Sequence, residues 1–174
     1  TSMGGTKMMQ LNNTGGASTQ SWLNSTMPTT SVVELEAGAA TNVTNDTTPP
    51  QQFIMYSWKS IDGFSKMGEY TGNGNADGTF VYTGFRPAFL LVKQSSASGE
   101  RWYMFDNKRD TYNYVSKRVV ADDTNVETSG ATQALDFVSN GFKARYNQGA
   151  FNTNAATYHY LAFAETPFKY SNAR

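Results

Sequence analysis

The chain has 174 residues, with 14 basic and 14 acidic side chains, one histidine and no cysteine. A formal charge of zero creates no attraction for nucleic acid or an anionic membrane. The lack of cysteine removes disulfides, thiolate metal sites and thiol catalysis, and a single histidine excludes a multi-histidine metal centre.

Only 16% of residues are charged while 14% are aromatic, and Gly, Thr, Ser and Asn are abundant. That balance points to an all-β protein. No apolar run approaches a membrane span; Phe89-Leu90-Leu91-Val92 is typical of the longest. The N-terminus shows no basic region followed by an apolar core, so no signal peptide is expected.

In chain order, residues 1–52 read as an arm. They contain one aromatic residue, Trp22, and four charges, Lys7, Glu34, Glu36 and Asp46, in a background of Thr, Ser, Asn, Gly and Ala. Such a segment buries too little apolar surface to offset its own ordering entropy. It is therefore expected to lie along another surface, either the main domain or, as the favoured reading, a neighbouring subunit. Val32-Val33-Glu34-Leu35-Glu36 is its one convincing strand, suited to joining an exposed sheet edge.

Residues 53–174 read as a β-sandwich domain. Strands are expected at 53–58, 67–70, 79–82, 87–93, 101–106, 115–120, 135–138, 141–146 and 157–164. Turns fall at Asp62-Gly63, across the Gly- and Asn-rich residues 71–78, and at Ser95 to Gly99. This spacing, without sustained helical periodicity, predicts an antiparallel sandwich or jelly roll. Alternation places Phe89, Leu91, Phe105, Phe137, Phe142, Leu161 and Phe163 in the core. A loose echo relates two hairpins, one running from Glu34 through 53–58 to Lys66, the other from Lys143 through 158–163 to Lys169.

Candidate sites are sparse. His159 lies within an aromatic strand and reads as structural. Asp106 and Arg109 are spaced to brace the turn at Asn107-Lys108. Asp77 and Asp122-Asp123 lack the oxygen-ligand spacing of a calcium loop, so they read as solvated loop acids. Gly72-Asn73-Gly74 has no following helix or Lys-Ser/Thr partner and reads as a turn rather than a phosphate cradle. No catalytic residue, metal site or cofactor is expected.

The string from Gly63 through Gly68-Glu69-Tyr70-Thr71-Gly72-Asn73-Gly74 to Lys93 resembles the opening of a module common in structural proteins of marine bacteriophages. The resemblance continues through Trp102-Tyr103-Met104-Phe105-Asp106-Asn107-Lys108-Arg109, through Asp136 to Lys143, and through Ala162 to Phe168, covering about residues 53–174. It implies a concanavalin-like jelly roll in a phage tail or other virion component: a tail fibre, tail tip, knob or capsid-decorating subunit. The arm adds copies of the chain itself, in a trimer, as expected partners, and the resemblance adds other virion proteins. The alternative is a receptor-binding module for host surface glycan, with Trp58, Trp102 or Tyr103 stacking on sugar faces.

Overall fold

The computed structural model describes residues 7–19, 27–35, 54–147 and 149–167. Trp22, Glu36, Phe53 and Lys169, and with them part of the expected arm and of both echoed hairpins, lie outside the described residues. The chain divides into two units. One comprises Thr1–Met9 and Ala17–Trp58, the other Gln10–Gly16 and Lys59–Arg174.

In the first unit, β1 (Lys7–Met8) pairs antiparallel with β2 (Ser18–Thr19). Residues 32–35 do not form the expected strand. Thr29 explains why: its Oγ1 accepts from the backbone N–H of Ser31 at 3.3 Å and of Val32 at 3.0 Å. Its own N–H donates to the Val32 carbonyl at 2.9 Å. A local side-chain turn thus takes the backbone groups of Val32 that a ladder would use. Residues 54–58 are also not a strand, and their side chains face solvent. Their β-forming residues meet no partner strand among the described residues, and β-propensity acts mainly through packing on such a partner. Among the described residues, 34–35 and 54–58 therefore do not form the strands of the echoed hairpin.

The second unit is an antiparallel β-sandwich. Its strands are β3 (Ser65–Thr71), β4 (Phe80–Tyr82), β5 (Pro87–Gln94), β6 (Tyr103–Asp106), β7 (Arg118–Val120), β8 (Leu135–Val138), β9 (Gly141–Ala144) and β10 (Thr157–Ala164). Two single 3₁₀ turns occur at Ala131–Gln133 and Gly149–Phe151. One sheet has the order β3-β10-β5-β6-β7 and the other the order β4-β9-β8. The chain enters β3 through the Asp62-Gly63 turn, where Gly63 adopts φ 70°. It reaches β5 through Gly84, at φ 86°, a region that residues with a Cβ rarely occupy.

The core lies between the two sheets. Tyr70, Leu90, Val92, Tyr103, Phe105, Tyr158, Tyr160 and Ala162 face it from one side, and Val81, Leu135, Phe137 and Phe142 from the other. Phe142 bridges the layers, its ring edge-on to Tyr70 at 5.8 Å and to Tyr160 at 5.3 Å between centroids. Burial, and then the neighbouring Tyr158, raise the Tyr70 hydroxyl well above its ordinary pKa. It donates to the Phe151 carbonyl at 2.8 Å.

Of the expected core residues, Phe105, Phe137 and Phe142 are buried, but Phe89, Leu91, Leu161 and Phe163 are only partly so. In β5 and β10 the opposite parity faces the core, through Leu90, Val92, Tyr158, Tyr160 and Ala162. Both faces of these strands are apolar, so alternation alone did not select the inner one. On the outer face Phe163 packs against Phe64 and Phe89, at 6.0 and 6.3 Å.

Candidate binding surface

Trp102 precedes β6 at the end of the loop leaving β5. Its indole N–H donates to the Gln10 carbonyl at 2.7 Å, and its backbone N–H donates to Asp122 Oδ1 at 3.0 Å. The Lys93 ammonium lies 6.0 Å from the ring centroid. Lys93 is fully buried, and its ammonium donates to the carbonyls of Thr14, at 3.1 Å, and Glu100. Residues 10–16 therefore form a strap, also held by the Gly99 N–H donating to the Thr14 carbonyl at 2.9 Å. Burial pushes the Lys93 pKa below the ordinary lysine value, with Asp122 and Glu100 opposing. Trp102 is half-buried as a result, and its polar edge is already occupied.

Tyr103 is a correction to the sequence reading. It points into the core, edge-on to Phe151 at 5.7 Å, with the Arg118 guanidinium 5.8 Å from its centroid. As the first residue of β6 it has inward parity with Phe105, so its ring is not offered to a ligand. Trp58, in the other unit, is 60% exposed and stacked with Tyr56 at 6.1 Å. Within the sandwich unit, Trp102 is half-buried and Tyr103 is buried, so the two rings do not share an exposed face.

The charged candidates brace loops. Arg109 Nε meets Asp106 Oδ2 at 2.7 Å, and its Nη1 meets Glu127 at 2.7 Å. Burial works against the Asp106 charge. The backbone N–H groups of Arg109 and Lys108 and the Arg109 side chain outweigh it and hold the pKa down. Asp77 pairs with Lys143, which lowers its pKa, while Asp123 pairs with Arg101. The Asp122 side chain is buried, with Oδ2 lacking a hydrogen-bond partner and Arg101 at 3.9 Å. Among the described residues no three or more acidic, histidine or cysteine side chains gather in a metal-binding group.

His159 sits on β10 opposite Glu69 on one side and Lys93 on the other. Burial lowers its pKa, and Glu69 partly offsets this. The turn around Gly72 is organised by Asn152, whose Nδ2 donates to Asn73 Oδ1, the Asn75 carbonyl and the Tyr146 carbonyl at 2.8–2.9 Å.

Sequence reasoning missed four exposed rings on the sandwich. Phe80 and Tyr82 project from β4, 46% and 64% exposed, with Val81 between them turned inward. Tyr112 and Tyr114 project from the loop after β6. The residue between them, Asn113, anchors the loop: its Nδ2 donates to the Phe137 carbonyl and its Oδ1 accepts the Phe137 N–H, both at 3.0 Å. Asp110 adds a cap, accepting from the backbone N–H groups of Ser116 and Lys117 at 2.7 and 2.6 Å. In both places the legible signal was an aromatic pair two residues apart.

The sequence profile of a family described as a domain of unknown function (DUF7483) matches residues 1–167, running through the N-terminal segment as well as the sandwich. No curated protein and no solved structure matches the chain.

Proposed function

We propose that this chain, which belongs to the DUF7483 family, is a structural subunit of a bacteriophage particle that associates with copies of itself. The observation carrying this reading is the segment before the sandwich. Ile54, Met55, Tyr56 and Trp58 are 82%, 62%, 72% and 60% exposed. Four large apolar side chains in five residues mark a surface that association covers. Burying each fully would contribute roughly 1.5–3 kcal/mol. The resemblance of about residues 53–174 to phage structural modules supplies the context, in a tail fibre, tail tip, knob or capsid decoration. The arm would run along the neighbouring subunit, in a trimer. No catalytic residue is assigned.

The test uses the full chain, because residues 10–16 belong to the sandwich unit and a truncation at residue 50 would strip the strap from Lys93 and Trp102. The Tyr56→Asp, Trp58→Asp double variant is expected to lose the multimer in light scattering while keeping its β-type circular dichroism. A multimer of unchanged mass rejects this reading.

Recognition of a host surface glycan is the second reading, favoured by Tyr112 and Tyr114. Tyrosines on a loop already fixed by Asn113 and Asp110 present amphipathic rings at little entropic cost. Binding of the protein to host polysaccharide, weakened at least about tenfold by Tyr112→Ala (a loss of roughly 1.4 kcal/mol), is the expected result. Binding unaffected by that change, or no binding at all, removes this reading.

A further inference from the structure

The sandwich has four sheet edges, and on three of them neighbouring segments bond part of the outer strand. On β3, Ser65 exchanges backbone hydrogen bonds with Ile61 at 2.9 Å, and the Met67 N–H donates to Ser60 Oγ at 3.0 Å. On β7, Arg118 exchanges bonds with Thr128 at 2.9 and 3.0 Å. On β8, Leu135 exchanges bonds with Val115, and the Asn113 carboxamide takes the place of a peptide group opposite Phe137.

The fourth edge, β4, is open among the described residues. The Ala144 N–H donates to the Thr79 carbonyl at 3.1 Å and the Thr83 N–H to the Asn140 carbonyl at 3.0 Å. In the β4–β9 register these bonds turn the backbone of Thr79, Val81 and Thr83 toward β9. The N–H and C=O groups of Phe80 and Tyr82 therefore point off the sheet. Residues 78–84 contain no charge and no proline, the usual guards of an exposed edge.

This edge matches itself. We propose that β4 pairs antiparallel with β4 of a second copy, about a twofold axis at Val81. Phe80 then exchanges backbone hydrogen bonds with Tyr82 of the partner subunit, and symmetry repeats the exchange, satisfying every outward group. The exposed rings meet as two cross-strand aromatic pairs, while Val81 keeps its place in the core. A chain of zero formal charge brings no net repulsion to the contact. A three-residue edge covers far less than the roughly 800 Å² per partner of a standard interface. The contact is accordingly weak and concentration-dependent, and it gains effect when other contacts hold the copies together. It does not depend on the phage reading.

The absence of cysteine makes the test clean. Full chains carrying Phe80→Cys or Tyr82→Cys are oxidised separately and as a mixture. Residues opposite each other in a hydrogen-bonded pair lie about 5.5 Å apart at Cα, within disulfide reach. A cross-linked dimer is expected in the mixture and in neither variant alone. Cross-linking absent from the mixture, or equal in a single variant, overturns the proposal.

Tyr82→Pro is the second arm, because it deletes an N–H that β9 does not use. Light scattering across a dilution series should show the dimer's dissociation constant rise about tenfold or more for two lost hydrogen bonds. Self-association unchanged by Tyr82→Pro but abolished by the Tyr56→Asp, Trp58→Asp pair would sink the β4 contact and leave the assembly reading standing.

Discussion

Replacing Phe151 with alanine is expected to destabilise the sandwich by roughly 3–5 kcal/mol, the range for truncating a large buried aromatic side chain. Phe151 ends the 3₁₀ turn Gly149–Phe151 and is almost completely buried. Its ring meets Tyr103 edge-on at 5.7 Å and Phe105 edge-on at 5.4 Å. It thus plugs the space beside β6 from a segment that belongs to neither sheet. Rigid strands on both sides limit collapse into the vacated volume, which places the cost toward the upper part of that range. Urea unfolding is the measurement: the midpoint should fall with little change in slope. A midpoint near that of the wild type would mean that Phe151 is peripheral to the core.

The adjacent residue acts through hydrogen bonds. Asn152→Ala is expected to cost roughly 3 kcal/mol or more, because each buried group left without a partner costs about 1–3 kcal/mol. Asn152 is fully buried, and its Nδ2 serves Asn73 Oδ1 and the carbonyls of Asn75 and Tyr146. Its Oδ1 accepts the Asn73 N–H at 3.1 Å and the Thr79 hydroxyl at 3.3 Å. The Gly72–Gly78 connection is thereby tied to the loop before β10. Repair by the backbone is restricted, since the Thr153 carbonyl oxygen packs directly against Gly72, where a Cβ would stand. Melting of Asn152→Ala, followed by hydrogen exchange at residues 72–79, should show lost protection concentrated there. Uniform protection with an unchanged melting temperature would contradict the role given to this side chain. Phe151 and Asn152 are neighbours, so the double variant should cost less than the two single costs added together.

Local pattern alone identified most strands of the sandwich. The expected 135–138 and 157–164 coincide with β8 and β10, and 87–93 falls one residue short of β5. A strand bounded by Gly and Asn turns is written in consecutive residues, and its β-formers need only some partner. The antiparallel sandwich follows from the same signals. Other features depended on which partner each strand found. Inward parity of β5 and β10 was illegible because Phe89-Leu90-Leu91 and Leu161-Ala162-Phe163 offer apolar groups to both faces; pairing with β3 and β6 and the layer carrying Phe142 decided it. Val32 to Leu35 and Ile54 to Trp58 carry strand composition without a ladder, since composition cannot supply a neighbouring edge. The surface shows the same division. Trp102 and Tyr103 look alike in sequence, yet one is capped by Gln10, 92 residues away, and the other is buried against Phe151. Phe80 and Tyr82 remain exposed because β4 is the last strand of its sheet. Local β-forming residues between turns propose a strand; contacts between residues distant in the chain determine whether it pairs and which of its faces meets water.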